Sequence, residues 1–201
     1  MKKVLIITLT LIIIYFIYLN ANKDKINYVL VSDNYNNIND YLIDPKIINN
    51  YNLFTNNSII KMQEDIINNR TIRINNREYY FKKVLRESNL VVINIGMKEL
   101  KNCFNNQVME SNYICFDNMY SNITKLIKEL RKYAQEKIVF LGYYNPTNYY
   151  DANIDELFYN FDIRLTKLMK EYHINYVSLY NLFKNGEYKN KENIIKINLD
   201  E

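Results

Sequence analysis

Histidine occurs once in this chain, tryptophan not at all, proline and cysteine twice each and glycine three times. These shortages close off chemistry. With His173 the sole imidazole, a scheme that needs a histidine base has one residue to draw on. Cys103 and Cys115 stand at no metal-ligand spacing, so no metal centre and no cofactor are expected. Two readings of the pair stay open: a disulfide, if the domain lies outside the cell, or two ordinary half-buried thiols. The chain has no Pro-rich or Ser-rich linker and no internal repeat, which points to one domain. A concentrated stripe of cations is missing as well. The net charge of +4 is spread out, and stretches such as Lys125–Arg131 and Arg164–Glu171 mix both signs as solvated helix faces do. Nucleic acid is therefore not an expected partner.

The 201 residues are 48% hydrophobic and 24% charged, the balance of an ordinary globular chain rather than a disordered one. Asn, Ile, Lys and Tyr are favoured, and their codons are A/T-rich, so the 20 tyrosines are not in themselves a sign of a binding surface. After Met1-Lys2-Lys3 comes an apolar run from Val4 to Leu19, broken only by Thr8 and Thr10. As a helix it would extend roughly 24 Å, against a hydrocarbon core of about 30 Å. A cleaved secretory signal is one reading. The region Leu19-Asn20-Ala21 has no A-x-A pattern, however, and an uncleaved anchor fits better. The lysine pair places the N-terminus in the cytoplasm and the domain outside. The chain then divides into a hydrophobic N-terminal helix, residues 1–22, and a domain, residues 23–201, whose regular structure begins near Asn27.

Compact apolar runs read as strands at Tyr28–Val31, Leu90–Ile95, Ile138–Leu141 and Tyr176–Leu179, with a weaker one at Tyr51–Phe54. Between them, helical spacing marks Ser58–Ile67 (Ser58 a candidate N-cap), Glu78–Glu87, and Met119–Tyr133 with Ile123, Leu126, Ile127 and Leu130 on one stripe. A further stripe joins Leu157, Phe158, Phe161, Leu165, Leu168, Met169 and Tyr172. Strand and helix alternate throughout. The expected fold is α/β, three layers with a mostly parallel central sheet and helices on both faces. Sites in such folds form at the carboxyl ends of the strands, here after Val31, Phe54, Ile95 and Leu141.

Three stretches resemble the SGNH (GDSL-type) hydrolases, a lipase- and esterase-like family with bacterial members. Val29-Leu30-Val31-Ser32-Asp33-Asn34 is similar to the first block, a strand ending in Gly-Asp-Ser. Ser88 to Leu100, with Gly96-Met97-Lys98-Glu99, is similar to the third block, a strand ending in Gly-x-Asn-Asp. Val139 to Pro146 is similar to the strand and loop that follow. The likeness implies a flavodoxin-like three-layer fold and an ester-hydrolysing ancestry. It places the nucleophile position on Asn34, the second-block oxyanion glycine on Asn56 and the third-block asparagine on Lys98. Asn34 cannot form an acyl-enzyme as Ser does, and Lys98 could still stabilise negative charge but is longer, charged and differently directed than the family's asparagine. Near residue 200, where an Asp-x-x-His block would be expected, the chain reads Ile195-Lys196-Ile197-Asn198-Leu199-Asp200-Glu201.

A hydroxyl becomes a nucleophile only beside a base, and the developing oxyanion needs preorganised donors. Ser32 lies two positions before the expected nucleophile and reads as a turn residue. Asp33 and Glu99 are expected at the same sheet edge near Lys98, closing an empty site or, as the alternative, forming an acid–base pair. His173 falls at the far end of the sheet, at a helix terminus. The expectation is a protein that has lost esterase activity and is held in a bacterial membrane by a single span, with its domain extracytoplasmic. If the N-terminal segment is cleaved, the domain is secreted. Its role would be binding or structural, with a cell-wall glycan, an acyl group or a protein as partner. The alternative is a divergent esterase with a non-standard site.

Overall fold

The computed structural model describes residues 26–32, 47–54, 58–74, 76–104, 109–144 and 152–183. In chain order these form β1 (Ile26–Ser32), β2 (Ile47–Phe54), α1 (Ile59–Ile67), β3 (Thr71–Ile74), β4 (Arg77–Tyr80) and α2 (Phe81–Arg86). There follow β5 (Leu90–Asn94), α3 (Met97–Phe104), α4 (Met109–Arg131), β6 (Lys137–Leu141), α5 (Ala152–Glu171), β7 (Asn175–Val177) and α6 (Leu179–Phe183). The expected N-terminal helix, residues 1–22, lies outside the described residues. Among the described residues no helix is long and apolar enough to cross a membrane.

Five strands make one sheet in the order β2-β1-β5-β6-β7, and every neighbouring pair is parallel. The fold is α/β with a mostly parallel central sheet, as the alternating pattern predicts. Period-two geometry sends successive side chains of each strand to opposite faces. Val29, Val31, Val91, Ile93, Ile138 and Phe140 meet one face's core, which buries side chains from α1 to α5. Tyr28, Leu30, Leu90, Val92, Val139 and Leu141 meet the other, where Leu179 of α6 packs. The continuous apolar sequence of β5, buried from Leu90 to Ile93, is what a strand covered on both faces requires.

The stripes on α4 and α5 are buried as their spacing demands, with Ile123, Leu126, Ile127, Leu130, Phe158, Phe161 and Leu165 in the core. The two helices are joined by Phe116, whose ring lies edge-on to Phe158 at 5.5 Å and to Phe161 at 4.9 Å. Such edge-to-face pairs add to the area term.

Several element boundaries differ from the sequence reading. The expected helix Glu78–Glu87 is a strand followed by a short helix: β3 and β4 form an antiparallel hairpin, and α2 starts only at Phe81. Period-two burial overrides the helical pattern here, because Ile72 and Tyr79 pair across the hairpin and both pack on the core. Asn76, at φ 62°, supplies the left-handed turn residue. α3 is an element the spacing did not mark, and α4 begins at Met109 rather than near Met119. The last strand stops at Val177, since Ser178 turns the chain and its Oγ accepts from the Asn181 amide at 3.1 Å.

At the amino edge of the sheet Arg131 gathers two chain ends. Its guanidinium donates to the carbonyls of Tyr172 at 2.9 Å, Ala134 at 3.0 Å, Glu136 at 3.0 Å and also His173. The turns that follow α4 and α5 are thereby held together.

Candidate site at the carboxyl edge of the sheet

Strand order reverses around β1, with β2 on one side and β5 on the other, and the crevice beyond their carboxyl ends is where such a sheet places a site. The register sets Ser32 beside Asn94 of β5 and Phe54 of β2. Ser32 was expected as a turn residue. It is instead the last residue of β1 and is buried, at 1% exposure. The other residues expected from β1 and β2, namely Asp33, Asn34 and Asn56, lie outside the described residues.

Beyond β5 the chain passes Ile95 and turns at Gly96, whose φ of +100° is a conformation that side-chain-bearing residues rarely adopt. Space at this turn is closed too. A Cβ on Gly96 would lie 2.7 Å from the Tyr143 hydroxyl and 2.8 Å from Met119 Cε. Tyr143, in the loop after β6, is buried and donates its hydroxyl to the Ile95 carbonyl at 2.6 Å. Gly96 is therefore required by its positive φ and by close packing against Tyr143, Met119 of α4 and Ile59 of α1.

The turn delivers Lys98 and Glu99 into the first turn of α3. Lys98 is exposed. Glu99 is half-buried, and its Oε1 accepts from the Ile59 amide, the first residue of α1, at 2.5 Å. One residue earlier, Ser58 caps the same helix, its Oγ accepting from the Lys61 amide at 3.1 Å. Two amide donors of α1 at the carboxyl edge are thus occupied by the protein's own oxygens. A carboxylate suits this place because the amino end of a helix carries partial positive charge. The same negative charge opposes an oxyanion at that spot.

α3 is fixed at its other end by a disulfide between Cys103 and Cys115 of α4, with a Cα–Cα distance of 5.6 Å. Of the two readings left open by the sequence, the paired one holds. Cys103 is buried, and the bond joins the helix that carries Lys98 and Glu99 to the long helix α4.

Sequence reasoning missed a second polar cluster. Asp162 of α5 is 7% exposed and accepts from the Tyr176 hydroxyl at 2.6 Å and from Ser178 Oγ at 2.8 and 2.9 Å. An acid inside the apolar stripe of α5, four residues after Phe158 and next to Phe161, was the available signal. Burial, then the Asp162 hydrogen bond, pushes the Tyr176 hydroxyl well above the usual tyrosine range and keeps it a neutral donor. Ser178 cannot serve here as an activated nucleophile: its partner is a carboxylate shared with a phenol, and its oxygen caps α6. The cluster ties α5, β7 and α6 together.

His173 sits at the opposite edge, exposed, at φ 53° in the left-handed residue that ends α5, with Ile174 donating back to the Met169 carbonyl at 2.8 Å. It is a helix-end residue, as the sequence implies, and cannot act as a base at the carboxyl edge. Among the described residues no group of three or more His, Cys, Asp or Glu side chains could hold a metal ion.

No family model matches the chain, and no curated protein is similar to it at a significant level. Two solved structures are similar over most of their length. One is an extracellular lipase from Streptomyces rimosus, 12% identical, covering 78% of this chain and 81% of that one, with a TM-score of 0.47. The other is a phospholipase A1 from Streptomyces albidoflavus, 11% identical, covering 78% and 80%, also at 0.47. These likenesses are distant, and the fold described above rests on the strand order and register of the sheet itself.

Proposed function

We propose that this chain is an SGNH-hydrolase-like scaffold without esterase activity, acting outside the cell at a membrane as a binding or structural domain. The observation that carries the reading is Glu99. Its carboxylate accepts from the Ile59 amide at the amino end of α1 and so sets a negative charge at the carboxyl edge, where an acyl-transfer enzyme would have to stabilise an oxyanion. The residues at the family's catalytic positions agree: Asn34 replaces the nucleophilic serine, and the one histidine lies at the other end of the sheet. Lys98, exposed beside this edge, would make the former cleft mildly basic and suited to a hydroxylated or anionic ligand such as a cell-wall glycan. The Cys103–Cys115 bond supports an extracytoplasmic domain, because disulfides persist in oxidising compartments and are rare in the cytosol.

The test is active-site labelling. A fluorophosphonate probe should leave the full-length chain unmodified at concentrations that label a serine esterase completely. Stoichiometric labelling at Ser32 or any other serine would overturn the reading.

A further inference from the structure

The surface of the helical layer carries a groove of its own, between α4 and α5. Its floor is the buried trio Phe116, Leu157 and Phe161, and its rim is Tyr113 and Asp117 of α4 with Asn160 and Arg164 of α5. Within each helix these positions are three and four apart, so each turns a single stripe toward the groove. The volume is about 110 Å³. Pockets that enclose a drug-sized molecule start at about 300 Å³, so this groove takes one ring and leaves the rest of a longer ligand outside.

The rim is polar but balanced in charge. Arg164 Nη1 donates to Asp117 Oδ1 at 2.5 Å, and the guanidinium lies over the Tyr120 ring, 4.3 Å from its centroid. The pair cancels its own charge, while the Asn160 amide and the Tyr113 phenol add neutral donors and acceptors. An anion placed here meets the Asp117 carboxylate, and a cation meets the Arg164 guanidinium. A neutral ligand whose hydroxyls both donate and accept meets neither penalty.

The groups are also set in place beforehand, which lowers the cost of binding. Tyr120 and Asp117 hold the guanidinium from two sides, and the Cys103–Cys115 bond anchors the stretch of α4 that carries Tyr113 and Asp117. Tyr113 is 48% exposed and supplies an aromatic ring at the rim.

We infer that this groove binds one sugar ring of a neutral glycan. The C–H face of the pyranose packs on the Tyr113 ring above the Phe116–Phe161 floor, and neighbouring hydroxyls bond to Asp117, Arg164 and Asn160. A pyranose suits the place because it joins an apolar face to a hydroxylated edge, and charged partners make the stronger hydrogen bonds. The site is separate from the carboxyl-edge cleft proposed above and does not depend on whether that edge is catalytic.

The test titrates the full-length chain, in a detergent without a sugar headgroup, with a tetrasaccharide of β-1,4-linked N-acetylglucosamine. Calorimetry gives the affinity, and saturation-transfer NMR reports which ligand protons lie against aromatic rings. The expected result is saturable binding with transfer to the ring C–H protons of the sugar. Tyr113→Ala should weaken it about tenfold, and Asp117→Ala/Arg164→Ala by at least about as much. These side chains are at least partly exposed, so the variants should unfold at the temperature of the unmodified chain. Lys98→Ala should leave the affinity unchanged. Binding lost with Lys98→Ala but kept in Tyr113→Ala puts the sugar in the carboxyl-edge cleft and overturns the groove. Binding of p-cresol that Tyr113→Ala removes, with no binding of the tetrasaccharide, assigns the groove to an aromatic side chain of a protein partner and overturns the sugar site. Binding of neither overturns it as well.

Discussion

Gly96 is required by its backbone conformation and its packing. Its positive φ and the approach of Tyr143 and Met119 leave no room for a side chain, so the turn after β5 is set by packing. Gly96→Ala should cost about 2–4 kcal/mol, since it combines left-handed strain with overpacking of a closed contact. Denaturant unfolding of the variant reads this directly. A loss under about 0.5 kcal/mol would mean the loop moves aside easily. The Gly96 turn was legible in the sequence as a strand ending in glycine. Its partner was not, because nothing local links Tyr143 to Ile95, 48 positions away. Glu99 was marked as a site residue for its sheet edge. One partner that it has, the backbone amide of Ile59, carries no side-chain signature and was invisible to spacing.

At the scale of elements, long amphipathic helices and buried strands could be read from periodicity because tertiary burial and local pattern agree in them. The failures came where they disagree. The β3–β4 hairpin is short, cationic and half-exposed, so its period of two was masked by an overlapping helical spacing. The pairing of α3 with α4 depends on a disulfide that two cysteines alone could not establish. That bond has a structural consequence for the site. It clamps one end of α3 while Glu99 holds the other end against α1. A cross-link with a separation of 12 residues should contribute about 3 kcal/mol, chiefly through the unfolded chain. Cys103→Ser/Cys115→Ser should accordingly lower stability by about that amount and speed hydrogen exchange at the Ile59 amide. Unchanged exchange there would show that α3 is held in place without the bond.

Across the whole molecule, two tyrosines give a common pH signature. Burial raises the hydroxyl of Tyr28, and burial with Asp162 raises that of Tyr176, both beyond the usual value of about 10. Below that value both are protonated in folded and unfolded chain alike, and their contribution is fully present. As pH rises past it the unfolded chain releases protons that the folded chain retains, so stability falls, by up to about 1.4 kcal/mol per pH unit for each tyrosine. Tyr28→Phe/Tyr176→Phe should flatten the alkaline limb of the stability curve, and a limb of unchanged slope would assign it to other groups. The overall architecture, an α/β domain with a parallel sheet, could be read from the alternation of strands and helices. The contacts at its carboxyl edge, such as Glu99 on the Ile59 amide, join residues far apart in the chain and have no local pattern.

The most direct measurement on that edge is turnover of short-chain p-nitrophenyl esters by the full-length protein, beside an Asn34→Ser variant that restores a serine at the nucleophile position. With Glu99 at the amino end of α1 and the only histidine at the opposite edge, neither protein should exceed the background rate. Saturable turnover by the unmodified chain, lost on Ser32→Ala, would contradict a non-catalytic scaffold and reveal an active site built on other residues.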